Sequence, residues 1–182
     1  VLIFNKNGNL PATNQNCSPF VIAFIDLKAD PRSGKILDIG AQRSDGATLH
    51  SPSVLALLDF VRNCNFLCGH NIIRHDLALI GKAAGNAEWG RGKAIDTLLL
   101  SPLLFPTRPY HRLIKDAQLL PEEHNDPLED ARKAQALLQS EQAAFHLLQP
   151  EVQQVFSSLL RHQPGFAAFF QYCKSSAKSG LE

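Results

Sequence analysis

The sequence predicts an α/β domain in which a mixed β-sheet is flanked by helices, followed by a helical C-terminal extension. Three observations carry that reading. The run "FVIAFIDL", starting at Phe20, is almost continuously apolar and rich in β-branched and aromatic residues, the pattern of a central strand covered on both faces. The stretches "KILDIGAQR" and "ATLH" follow it across tight turn signals and alternate as antiparallel neighbours do. Helical patterns then interleave with short apolar runs such as "FLCGH", which implies crossover connections and hence parallel strands.

Taken in order, residues 1–19 contain "KNGN" and "NQNCSP", rich in turn formers, and read as an N-terminal arm and loop. The three-stranded meander comes next. "SPSVLALLDFVRN" opens with a Ser cap and a Pro and carries apolar residues at helical spacing, so it reads as the first helix. "FLCGH" is then a parallel strand, and "HDLALIGKAAG" a helix closed by Gly85. "AIDTLLLSPLLF" reads as a helix up to its proline, and "HRLIKDAQLL" as a further short one. From Pro127, "PLEDARKAQALLQSEQAAFHLL" is a long amphipathic helix with Pro in its first turn. "PEVQQVFSSLLRH" and "PGFAAFFQYCKSS" add two more helices. The expected division is an arm over 1–19, a main domain over 20–145, a helical extension over 146–180 that packs on the core, and a cloning scar at 181–182.

With 182 residues, 45% of them apolar, the chain is long enough for one full core. The formal net charge of +1 announces neither a polyanionic partner nor a membrane surface, so any basic face has to be local. Cys17, Cys64, Cys68 and Cys173 form no CxxC pair and no dense disulfide pattern, and no long apolar run is present. Buried thiols in a reducing, cytoplasmic setting with no membrane contact are therefore expected.

Four acidic residues stand at element ends that share one edge of the sheet: Asp26, Asp76, Asp96 and Asp130. Singly, each reads as a cap or a surface charge. Jointly, "IDLK", "GHNIIRHD" and "HNDPLEDA" make the chain resemble the DEDD, or DnaQ-like, 3'–5' exonuclease superfamily over roughly residues 20–140. The resemblance implies an RNase H-like mixed sheet flanked by helices. It implies two Mg²⁺ or Mn²⁺ ions held by Asp26, Asp76 and Asp130, because hard divalent ions favour oxygen donors and a metal pair activates water and steadies the leaving oxygen. It further implies His124 as the general base and His70 and Asn71 near substrate, with helix capping as the other reading of Asn71. The longer stretches "DLKADPRSGKILDIGA" and "IDTLLLSPLLFPTRPYHRLIKD" resemble, more narrowly, the exonuclease-like domains fused ahead of RecQ-type helicases in some bacterial proteins. A longer chain with a helicase portion is the partner implied, and the 3' end of single-stranded DNA or RNA the substrate, DNA being favoured.

One position departs from the pattern. Lys28 stands where the family's first motif has Glu, and residues 26 and 28 of a strand share a face. An ammonium has no lone pair to give a metal and repels one. Lys28 is thus expected either to impair two-metal catalysis or to fill one metal's place in the reacting site, beside Asp26 and Asp130. His124 also lies one place before the family's His position, which Asn125 occupies. Two functions stay open: a 3'–5' exonuclease, and an inactive pseudo-exonuclease kept as a nucleic-acid-binding or docking module. "RPYHRLIK" supplies Arg108, Tyr110, His111, Arg112 and Lys115 as a track for a single strand, with a solvated helix face as the alternative.

Overall fold

The computed structural model describes residues 20–111, 113 and 126–178, of 176–178 the backbone alone. The arm over 1–19, most of the short helix expected in "HRLIKDAQLL", and His124, Arg112 and Lys115 lie outside the described residues.

The meander is present as β1 (Ile22–Ala29), β2 (Ile36–Arg43) and β3 (Thr48–His50). β4 (Phe66–Gly69) adds to the other side of β1 in parallel, and β5 (Ala94–Asp96) adds in parallel to β4, giving the order β3-β2-β1-β4-β5. The mixed sheet is thus centred on β1, as its apolar run requires. Along β1 the faces alternate with the strand period. Ala23, Ile25 and Leu27 pack with Leu57, Leu77 and Ile80 of α1 (Val54–Phe60) and α2 (Asp76–Ala83). Ile22 and Phe24 pack on the opposite side with residues of α3 (Thr97–Leu104), α4 (Pro127–Leu147) and α6 (Ala167–Lys178).

One element departs from the sequence reading. The first three residues of "AIDTLLLSPLLF" are strand, and the helix begins only at Thr97 and runs through Pro102 to Leu104. Ala94, Ile95 and Asp96 are all buried, so no alternation marks the strand, and its three residues are too few to show a period. Asp96 ends it and caps α3, accepting from the Leu98 N–H at 3.0 Å.

α4 spans the expected boundary at 145/146 without a break. α6 lays Phe169, Phe170 and Cys173 into the core against Phe145, with ring centroids 5.5 Å apart for both Phe145 pairs. α5 (Pro150–Leu160) differs from its neighbours in that none of its side chains is buried. Cys64, Cys68 and Cys173 are free and buried. No helix among the described residues is long and apolar enough to cross a membrane.

Candidate functional site

β1, β4 and β5 are parallel, so their C-terminal ends meet at one edge. At β1 the chain leaves for β2 on one side while β4 and β5 lie on the other, the kind of switch point at which open α/β sheets carry ligand sites. β1 and β4 stay in register only as far as Phe24 and Cys68, and beyond that the strands part. The Leu27 N–H, left without a β4 carbonyl, is taken by Asp76 Oδ1 at 3.0 Å from the first residue of α2. Asp76 is 1% exposed, and burial pushes its carboxyl above the usual range, partly offset by His75 and the Leu27 N–H.

Asp26 and Lys28 continue the row of Ile22 and Phe24, so both point toward α4. Asp130 reaches them from the first turn of that helix, which Pro127 and the Asp126 cap start; Asp126 Oδ1 accepts from the Leu128 N–H at 2.8 Å. The helix comes this close because residue 40, opposite Asp26 in β2, is glycine. A Cβ on Gly40 would lie 2.1 Å from the Leu128 nitrogen and 2.2 Å from the Pro127 carbonyl carbon.

The Lys28 ammonium lies between the two carboxylates, 2.7 Å from Asp26 Oδ2 and 2.8 Å from Asp130 Oδ2. Burial works against its charge, but the hydrogen bonds to Asp130 and Asp26 outweigh that and raise its pKa above the ordinary lysine value. Asp26 is pushed up to about 6, chiefly by burial and then by the Asp76 charge, against the lowering pull of Lys28. Lys133, one turn along α4, stands 3.5 Å from Asp130 Oδ1. The sequence reading passed over Lys133, although its spacing of three from Asp130 on a helix announces the pair.

The "GHN" turn is held from β5. Asp96 Oδ1 accepts from the Asn71 N–H at 3.0 Å and Oδ2 from the Ile73 N–H at 3.1 Å, in addition to the α3 cap. Asp96 therefore acts as a clamp on the turn, and Asn71 adopts φ 68°, the left-handed conformation that Asn tolerates better than most residues. His70 sits on the same turn. The Thr97 hydroxyl donates to the Gly69 carbonyl at 3.3 Å, so it accepts from His70 Nδ1–H at 2.9 Å. Burial lowers the His70 pKa to about 4, the Asp130 charge offsetting part of that, so the ring is neutral. Its Nε2 then carries a buried lone pair with no partner among the described residues.

Beside this edge, Arg108, Tyr110, His111 and Lys133 line a recess of about 380 Å³ floored by Leu113, Ala136 and Leu137. The Arg108 guanidinium stacks over the Phe105 ring at 3.8 Å, which fixes its plane, and Tyr110 is 82% exposed. Arg108, Tyr110 and His111, three of the residues expected to form the track, thus line one recess.

The residues present do not fit a pair of divalent ions as they stand. Asp76 Oδ1 is committed to a backbone N–H, and Asp26 and Asp130 converge on an ammonium. Among the described residues, no group of three or more His, Cys, Asp or Glu is arranged to hold a metal.

No family model matches the chain, and no curated protein matches it. A search of solved structures finds a family B DNA polymerase from the hyperthermophilic archaeon Pyrobaculum calidifontis, 15% identical, with a TM-score of 0.43. The likeness covers 75% of this chain and 27% of the polymerase, so the chain spans about a quarter of that protein's length.

Proposed function

We propose that this chain is an exonuclease-like module that holds a single nucleic-acid strand without hydrolysing it, its two-ion site having been replaced by an internal ammonium. The observation that carries the reading is the Lys28 Nζ within 2.8 Å of both Asp26 and Asp130. The active-enzyme reading asks Asp26, Asp76 and Asp130 to share two Mg²⁺ or Mn²⁺ ions, with His124 as base. It would need the ammonium to leave its two carboxylates, and those hydrogen bonds are charge-assisted.

The same ammonium suits binding. It offsets the charge of Asp26 and Asp130, which would otherwise repel a phosphate at this edge. Arg108, Lys133 and His111 offer donors to successive phosphates, and exposed Tyr110 offers a face on which a base stacks. His70 and Asn71 lie on the turn that borders the edge, and Arg112 and Lys115 follow in the same basic stretch. The 3' end of single-stranded DNA or RNA is the partner proposed, with a helicase portion of a longer protein as the neighbour to test first, on the family resemblance of the sequence alone.

The test is digestion of a 3'-labelled single-stranded DNA with Mn²⁺, run beside a gel-shift assay. The chain as it stands should shift the DNA and leave it full length, and Lys28→Glu should trim it from the 3' end in a Mn²⁺-dependent way. Robust trimming by the unsubstituted chain sinks the proposal.

A further inference from the structure

α5 buries none of its side chains, and the space it leaves against α4 and α6 is a groove of about 700 Å³. Its floor is apolar, with Phe145, Phe170 and Cys173, each 5% exposed or less. Its rim carries Arg161 and Lys174, and none of the described residues lining it is Asp or Glu. Neither cation has an ion pair or hydrogen bond among the described residues. The groove is thus a place where positive charge stands uncompensated above an apolar floor.

The remaining wall carries amides and hydroxyls beside His146 and His162. The Gln153 amide is spent on the Leu148 carbonyl at 2.8 Å, but Ser157 on α5 and Gln171 on α6 can each both donate and accept, which suits the alternating N–H and C=O groups of a peptide backbone. A small anion would occupy only part of a groove of about 700 Å³ and would leave its apolar floor unmatched, whereas a peptide segment reaches both the floor and the two cations.

We propose that this groove is a docking site for an acidic peptide segment of a partner protein, with a bulky apolar side chain seated on Phe145 and Phe170 and carboxylates on Arg161 and Lys174. This site lies apart from the Lys28 edge and does not depend on the function proposed there. Charge complementarity fixes the sign of the partner, and the apolar floor fixes its anchor.

The experiment is selection of a random linear peptide display library on the immobilised chain, followed by fluorescence anisotropy with the enriched peptides. Enriched sequences should combine at least one aromatic or long aliphatic residue with several Asp or Glu. Reversing both cations, Arg161→Glu with Lys174→Glu, should weaken them by at least about tenfold, with circular dichroism showing the helices intact. A second variant, Ser157→Trp, should block the groove and weaken the same peptides with no change in charge. No enrichment, enrichment without an acidic bias, equal binding to both variants, or displacement of the peptides by oligothymidylate would each overturn the proposal. The last would make the groove a nucleic-acid site.

Discussion

Glu141 offers the sharpest quantitative test of the packing described above. It is 0% exposed on α4, where Oε1 accepts from the Ser101 hydroxyl at 3.0 Å and Oε2 has no partner among the described residues. Burial, reinforced by the Asp96 charge and opposed by Ser101 and Arg108, pushes its pKa from 4.5 to about 9. The folded protein therefore keeps the proton where the unfolded chain releases it. The sign follows: a carboxyl whose folded pKa is raised is fully tolerated below the unfolded value near 4.5, and stability is lost as pH rises from there toward 9. At pH 7 the gap from the unfolded value is two and a half units, at about 1.4 kcal/mol each, or about 3 kcal/mol.

Glu141→Gln keeps the shape and the Ser101 contact and cannot ionise. Urea denaturation of both proteins across pH 4.5 to 8 should give curves that draw apart as pH rises, the variant gaining about 3 kcal/mol on the parent by pH 7. Asp26, Asp76, Asp96 and His70 also titrate, but they do so in both proteins and cancel in the difference. Parallel curves over this range would refute the reasoning, because they would mean that Glu141 is solvated or ionised in the folded state.

Two further substitutions probe the edge that carries Lys28. Gly40→Ala should destabilise by about 2–4 kcal/mol in the same denaturation assay, because the new methyl meets rigid backbone at Pro127 and Leu128, not the far end of a flexible side chain; a loss under about 0.5 kcal/mol would show that α4 can move away freely. Lys28→Met removes the only group among the described residues that lies within hydrogen-bond reach of both Asp26 and Asp130, so the Asp26 pKa should rise further above 6 and stability should fall more steeply as pH rises through that region. Carbon-detected NMR titration of the Asp26 carboxyl checks it, and a fall in its pKa would contradict the assigned geometry.

Much of the architecture was legible because it rests on local periodicity. β1 announced itself by an apolar run, and α4 by Pro127 and its spacing. β5 did not, since three buried residues carry no period and "AIDTLLL" reads equally as helix. Glu141 was overlooked for a different reason. Its neighbours "QSEQ" look like solvated helix, yet position 141 belongs to the stripe formed by Pro127, Asp130, Ala131, Ala134, Leu138 and Phe145, all buried. The stripe was readable, and following it through the glutamate would have raised the question of what Glu141 does in a core.

The Lys28 edge divides in the same way between what parity dictates and what only tertiary approach decides. The alternation that sends Ile22 and Phe24 into the core beneath α4 also sends Asp26 and Lys28 to that side, so the meeting of an acid and a base on one face was visible in "IDLK". Its consequence was not. A lysine at a strand end commonly extends its stem and keeps the ammonium in water. Here α4 closes over the strand because Gly40 offers no side chain to hold it off, and that approach places Asp130 on the far side of the ammonium from Asp26. The glycine in β2 and the lysine in β1 therefore act together: with a larger residue at 40 the second carboxylate would stand away, and Lys28 would have one partner and a path to solvent. An ammonium held between two carboxylates requires the side chain at 28, and it requires that residue 40 have none.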